Sequence, residues 1–180
     1  MSYTFTSKNK NYANNEDLSH SPQHRDRLNE IFKNSKTILM VGWRYDSDFS
    51  FVDFMIEESK DLTIVEIYEP NTKNVRKEVT IHCSDILDFD IEKEYDLLLW
   101  QHGPEHVFKS EVLDFVKKVS DKFKHIVFET PYGHNPQGEM YGNIYETHVS
   151  EWEEKDYTDL GFNYVKYAGV NNDAFIIGYK

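Results

Sequence analysis

A chain of 180 residues with 39% hydrophobic and 15% aromatic residues holds enough apolar material for one folded domain with a real core. Its 20 basic and 32 acidic residues leave a formal charge of −12, a field that repels phosphate backbones and anionic lipid and sets aside nucleic acid and membrane as expected partners. The single cysteine, Cys83, rules out an internal disulfide and a cysteine-based zinc cluster; no apolar stretch suits a signal peptide or a span, so the expected compartment is the cytoplasm.

Residues 1–20 are polar and without period, and read as a tail ahead of one domain over 21–180. Ser21-Pro22 reads as a helix cap followed by proline at the first helical position, with Leu28, Ile31 and Phe32 on one face. Ile38-Leu39-Met40-Val41, stopped by Gly42, suits a strand buried on both faces, as in a parallel sheet. Ser47 or Asp48 caps the next helix, whose stripe is Phe51, Val52, Met55 and Ile56. Strands follow from Leu62 to Ile67, from Val79 to His82 and from Tyr95 to Trp100, with a helix opened by Pro70 between the first two. Pro104 opens a helix that buries Val107, Val112, Phe115, Val116 and Val119, and Ile126 to Phe128 begins a fifth strand. Residues 130–149 form a long loop, and Ser150 then caps a helix that Gly161 ends. Strands at Phe162 to Ala168 and Ala174 to Tyr179, split by Asn171-Asn172-Asp173, close the chain as an antiparallel hairpin. This alternation predicts an α/β fold: Rossmann-like, doubly wound, with a mostly parallel seven-stranded sheet.

In such a sheet the ligand lies beyond the carboxyl ends of the strands, where strand order reverses. Gly42 marks that point. Glu66 leaves the second strand where a carboxylate can accept from both hydroxyls of a ribose, and Asp85 leaves the third where it can accept from an exocyclic amine. Trp100, Gln101 and His102 leave the fourth.

The segments Ile38-Leu39-Met40-Val41-Gly42, Ile64-Val65-Glu66-Ile67-Tyr68, Cys83-Ser84-Asp85-Ile86 and Tyr95-Asp96-Leu97-Leu98-Leu99-Trp100, followed by Asp159-Leu160-Gly161-Phe162 and a hairpin, resemble class I S-adenosylmethionine-dependent methyltransferases. The resemblance runs from Thr37 to Lys180. It implies S-adenosylmethionine as cofactor, with Gly42 and Trp43 near its methionine part and Glu66 on the ribose. Tyr68 would then lie close to the adenine, Asp85 would hold its amine and Ile86 would pack on the ring, with Ile67, Ser84, Trp100 and Gln101 completing the cofactor-binding set. One departure stands out: Trp43-Arg44-Tyr45-Asp46 fills the sites where that family carries further glycines, which give the backbone room beside the cofactor.

His102-Gly103-Pro104-Glu105-His106 is the densest titratable cluster. It resembles the Glu-His segment after the fourth strand of many members of that family. In a subset, which includes small-RNA 2′-O-methyltransferases and ubiquinone-pathway O-methyltransferases, a Glu-x-x-Glu-His pattern binds a divalent metal. Here His102 replaces the first Glu, so a divalent metal, completed by His134 or His148, is the lesser expectation. His106 as a general base and His106 as a capping residue are its rivals. The run from Gly142-Asn143 through His148 and Ser150 to Trp152 resembles bacterial methyltransferases of unassigned substrate, with His148 directed at the acceptor. Tyr141, Tyr145 and Trp152 read as the apolar pieces that hold this loop in place.

The leading expectation is methyl transfer to an oxygen or nitrogen of a small-molecule acceptor, with His102, His106 and His148 as catalytic residues. The alternative, prompted by the lost glycines, is a domain that keeps the fold as a binding or assembly partner. It predicts that Trp43 or Tyr45 fills the cofactor's space.

Overall fold

The computed structural model describes residues 22–43, 55–58, 60–168 and 174–180. The expectations for the tail, for Ser21, Ser47 and Asp48 as caps, for Phe51 and Val52, for Arg44, Tyr45 and Asp46, and for the Asn171-Asn172-Asp173 turn lie outside these residues.

Seven strands form one sheet: β1 (Thr37–Val41), β2 (Asp61–Glu66), β3 (Thr80–Cys83), β4 (Tyr95–Gln101), β5 (Phe123–Pro131), β6 (Asn163–Ala168) and β7 (Ala174–Tyr179). Their order is β3-β2-β1-β4-β5-β7-β6. β1 to β5 pair in parallel, with Val41 beside Val65 on one side and Trp100 on the other. β7 runs antiparallel between β5 and β6. The expected sheet and its antiparallel hairpin are both present, and strand order reverses at β1, where β2 and β4 lie on opposite sides.

Successive residues of each strand serve opposite faces, which is why the strands read as unbroken apolar runs. Ile38, Ile64, Leu97 and Leu99 lie under Leu28, Ile31 and Phe32 of α1 (Pro22–Asn34) and under Met55. Leu39, Leu98, Trp100 and Phe128 lie under Val112, Phe115, Val116 and Val119 of α2 (Lys109–Val119) and under Tyr157 of α3 (Glu154–Asp159). Burial at such positions stabilises the fold by roughly 1.5–3 kcal/mol for each large apolar side chain.

Three helix starts differ from expectation. The segment opened by Pro70 is a 3₁₀ helix, Glu69–Asn74, in which the Thr72 hydroxyl donates to the Glu69 carbonyl; such tight helices seldom extend far. Pro104 opens only a 3₁₀ turn, Pro104–His106; the chain then extends through Val107, and α2 begins at Lys109. The Glu105 carbonyl, which an α-helix would need, accepts instead from the Val149 and Ser150 N–H groups. Ser150 caps nothing: its hydroxyl lies toward the Pro104 and Glu105 carbonyls and accepts from the Trp152 indole. α3 is opened by Glu153 in a reciprocal capping box with Asp156, and Gly161 ends it in the left-handed region, as expected.

Among the described residues, no helix is long and apolar enough to cross a membrane.

Candidate active site

The crevice opens where β1 ends. Gly42 has φ of 81° and its N–H donates to the Val65 carbonyl at 2.9 Å. Among the described residues an added Cβ would meet nothing within 4 Å, so there glycine serves the left-handed turn. The next N–H, of Trp43, donates to Glu66 Oε2 at 2.6 Å, and the Tyr68 N–H donates to Glu66 Oε1 at 2.7 Å. The Glu66 side chain thereby ties the exit of β1 to the exit of β2. Burial raises its pKa while the two N–H groups and a hydrogen bond from the Asn71 side chain lower it. A carboxylate offers about four acceptor sites, so room remains for a further donor. The Ser84 N–H donates to the Glu66 carbonyl, and Asp85 Oδ1 accepts from the Leu87 N–H, so β3 leaves the sheet beside the same carboxylate.

Not every expected cofactor contact is exposed here. Trp43 is 5% exposed and its side chain belongs to the core under α1 together with Met55 and Leu28, so this ring does not occupy the crevice. Ile86 and Trp100 are also core side chains. Gln101 is committed to a hydrogen bond from its amide to Glu129 Oε2. Ile67, Tyr68, Ser84 and Asp85 remain half-buried at the strand ends.

At the exit of β4 the backbone is strained. His102 takes φ of 47° without being glycine, a conformation that costs energy and collects at functional sites. Its N–H donates to the Glu129 carbonyl at 2.8 Å, and Gly103 lies so close to the Trp100 indole that a Cβ would collide with it. This turn sends Glu105 inward, to 2% exposure.

Around Glu105 three imidazoles gather. His102 Nδ1 lies 3.9 Å and His148 Nε2 lies 4.0 Å from Glu105 Oε1, and the His106 and His148 rings are 4.9 Å apart. His106 Nδ1 faces the Thr147 carbonyl at 3.2 Å, and His148 Nδ1 faces that of Asn135. Carbonyls only accept, so both Nδ1 atoms carry hydrogen and both Nε2 atoms present a lone pair. Burial, and then the charges of Glu129 and Glu146, push the Glu105 carboxyl up to about 8. Burial lowers the His106 pKa; crowding and His148 lower that of His102, although its ring is 39% exposed.

The loop that supplies His148 is held by its backbone rather than by its aromatics. Gly133 N–H donates to Trp152, His148 N–H to Gln137, and Val149 and Ser150 N–H to Glu105. Trp152 is fully buried as expected, whereas Tyr141 is 81% and Tyr145 47% exposed. His134 is drawn off to Glu151 and does not join the cluster. Beside His148 a cavity of about 600 Å³ opens, bordered by Phe108, Lys109, His134, Pro136 and Val149.

Sequence reasoning missed Glu129, 3% exposed and raised by burial to about 7. Its signal was present: a carboxylate within the otherwise apolar Ile126-Val127-Phe128 strand.

No protein-family model and no curated protein matches the chain. Solved structures do. An N-methyltransferase, NodS, from Bradyrhizobium japonicum WM9 in complex with S-adenosyl-L-homocysteine superposes with a TM-score of 0.59 at 15% identity, covering 92% of each chain. The fold is that of the class I methyltransferases. An S-adenosylmethionine-dependent methyltransferase from Archaeoglobus fulgidus shares this methyltransferase fold with a TM-score of 0.60 at 17% identity, over 90% of this chain and 94% of its own. The N-terminal domain of EvdMO1, solved in the presence of S-adenosylhomocysteine and D-fucose, gives 0.63 at 12% identity, over 92% and 83%.

Proposed function

We propose that this protein transfers the methyl group of S-adenosylmethionine to an oxygen or nitrogen of a small-molecule acceptor. The observation that carries the reading is Glu66, a buried carboxylate that bridges the Trp43 and Tyr68 N–H groups at the switch point of a methyltransferase fold and keeps room for a further donor.

On this reading Glu66 accepts from the ribose hydroxyls. Gly42 and the Trp43 backbone border the methionine part, Ile67 and Tyr68 flank the adenine, and Ser84 and Asp85 meet its amine. Ile86 and Trp100 support the pocket floor from the core, and Gln101 fixes the exit of β4 through Glu129. His102, His106 and His148 stand at the acceptor end. The sulfonium methyl is already activated, so the protein's contribution is mainly alignment of donor and acceptor. The acceptor's lone pair forms the new bond to carbon while the carbon–sulfur pair returns to sulfur. The His102 and His106 imidazoles, whose surroundings disfavour the charged ring, can take a proton from the acceptor where it carries one. The burial of Trp43 in the core speaks against a crevice filled by that side chain.

Titration calorimetry of the purified chain with S-adenosylmethionine and S-adenosylhomocysteine tests this. Saturable one-site binding of both is expected. Folded protein that takes up neither would overturn the proposal.

A further inference from the structure

We infer that Glu129, fixed by Gln101 and roofed by His102 and Phe175, binds the acceptor, and that the acceptor is an amine taken up as its ammonium ion. The sheet register sets the groups concerned in one row. Val41 lies beside both Val65 and Trp100, so Glu66, Gly42 and Gln101 follow at one level, and Gln101 pairs with Glu129. Ile64, Leu99 and Val127, two residues earlier in their strands, pack in the core under α1. Alternation therefore turns Glu66, Gln101 and Glu129 to that same face. Gly42 adds no side chain to the row, which leaves a gap of two strand spacings, about 10 Å, between Glu66 and Gln101.

Glu129 is 3% exposed, and among the described residues its carboxylate accepts from the Gln101 amide. A neutral amide orients a buried carboxylate but supplies no counter-charge, which such a group needs. Its surroundings are acidic: the charges of Glu129 and Glu146 both act on nearby Glu105, a field that draws in a cation. His102 follows β4 and Phe175 lies on β7, the two neighbours of β5. Their rings meet edge-on at 5.3 Å, so the pair closes over the end of β5 where Glu129 stands, and Tyr167 stacks on Phe175 at 5.6 Å. Gln101, His102 and Phe175 stay partly exposed and leave an approach from solvent. A carboxylate beneath aromatic rings suits an ammonium ion, whose N–H groups reach the oxygen while its charge lies against the ring faces.

This inference rests on the methyl-transfer reading and narrows its acceptor to nitrogen. The bound ammonium first gives one proton to solvent. The freed lone pair on nitrogen forms the bond to the methyl carbon as the carbon–sulfur pair returns to sulfur. The positive charge thus passes from sulfur to nitrogen, where the Glu129 carboxylate offsets it. A hydroxyl acceptor ends as a neutral ether and leaves the buried carboxylate without a counter-charge.

The test is calorimetric titration of the full chain with benzylamine and n-butylamine, each against its matched alcohol, with and without saturating S-adenosylhomocysteine. The titrations are run near pH 8, above the value of about 7 to which burial lifts the Glu129 carboxyl and below the pKa of such amines. At least one amine should bind at a single site, at least about tenfold more tightly than its alcohol. Glu129→Gln should weaken the amine about 10–100-fold, the worth of one charge-assisted bond, and erase its preference over the alcohol, with S-adenosylhomocysteine affinity unchanged. Phe175→Leu, which keeps bulk but loses the ring face, should weaken the amine about 2–5-fold and repeats the test should Glu129→Gln fail to fold. Binding of neither amine, equal binding of the alcohols, or a site indifferent to these variants would overturn the inference. Donor uptake without amine uptake sinks this inference alone; amine uptake without donor uptake sinks the methyl-transfer reading alone.

Discussion

At the exit of β2, the Glu66 carboxylate receives a backbone N–H on each oxygen; at the exit of β4, Glu105 Oε2 receives none, and its neighbours are imidazoles with unspent lone pairs. Both carboxylates are almost fully buried, so burial alone does not distinguish them. The difference lies in who satisfies them. One end is satisfied by the protein's own N–H donors and, on the proposed reading, holds a neutral sugar. The other is left electronically incomplete, in a turn strained at His102 and clamped by Trp100 against Gly103. On the proposed reading, donor binding and acceptor chemistry fall to opposite sides of the switch point.

The largest expected effect comes from removing the clamp. Trp100→Ala vacates a position packed edge-on against Phe115 and Phe128, and should cost about 3–5 kcal/mol in chemical denaturation, disordering the acceptor end before the donor end. Equal loss of order at both ends, read by hydrogen exchange, would break the comparison. Next is Glu66→Gln. The amide can accept on one side only and turns an NH₂ toward the other backbone N–H, which should cost about 1–3 kcal/mol and weaken S-adenosylhomocysteine about tenfold or more in calorimetry.

The sheet was legible because its strands carry apolar side chains to both faces, and the Gly42, Glu66 and Asp85 exits follow from strand ends alone. The helix starts were harder. Pro104 and Ser150 have the right chemistry for helix openings, but each is diverted by a partner distant in sequence: the Glu105 carbonyl is taken by the loop at Val149 and Ser150. The inward turn of Glu105 has the same origin and no local signature. Tyr141 and Tyr145 read as packing pieces, yet backbone bonds already hold their loop, so nothing draws these rings inward.

A smaller effect separates the two ends by pH. Glu129, facing Gln101 and the Glu105 carboxyl, is raised from 4.5 to about 7 by burial. A raised carboxyl stabilises the fold fully below its unfolded pKa and loses that contribution as pH climbs through the folded one. Wild type should therefore lose stability relative to Glu129→Gln between about pH 4.5 and 7, measured by urea denaturation at several pH values; a flat difference would show that Glu129 is not so held. The smallest effect belongs to His134→Ala. Its ring is 74% exposed and, among the described residues, paired with Glu151, so stability in urea denaturation should change by less than about 0.5 kcal/mol.

The central claim is tested most directly by a crystal structure of the chain with S-adenosylhomocysteine. The account predicts both ribose hydroxyls within about 3 Å of Glu66, with the sulfur directed toward His148. A ligand bound elsewhere, or a ribose turned away from Glu66, would contradict it.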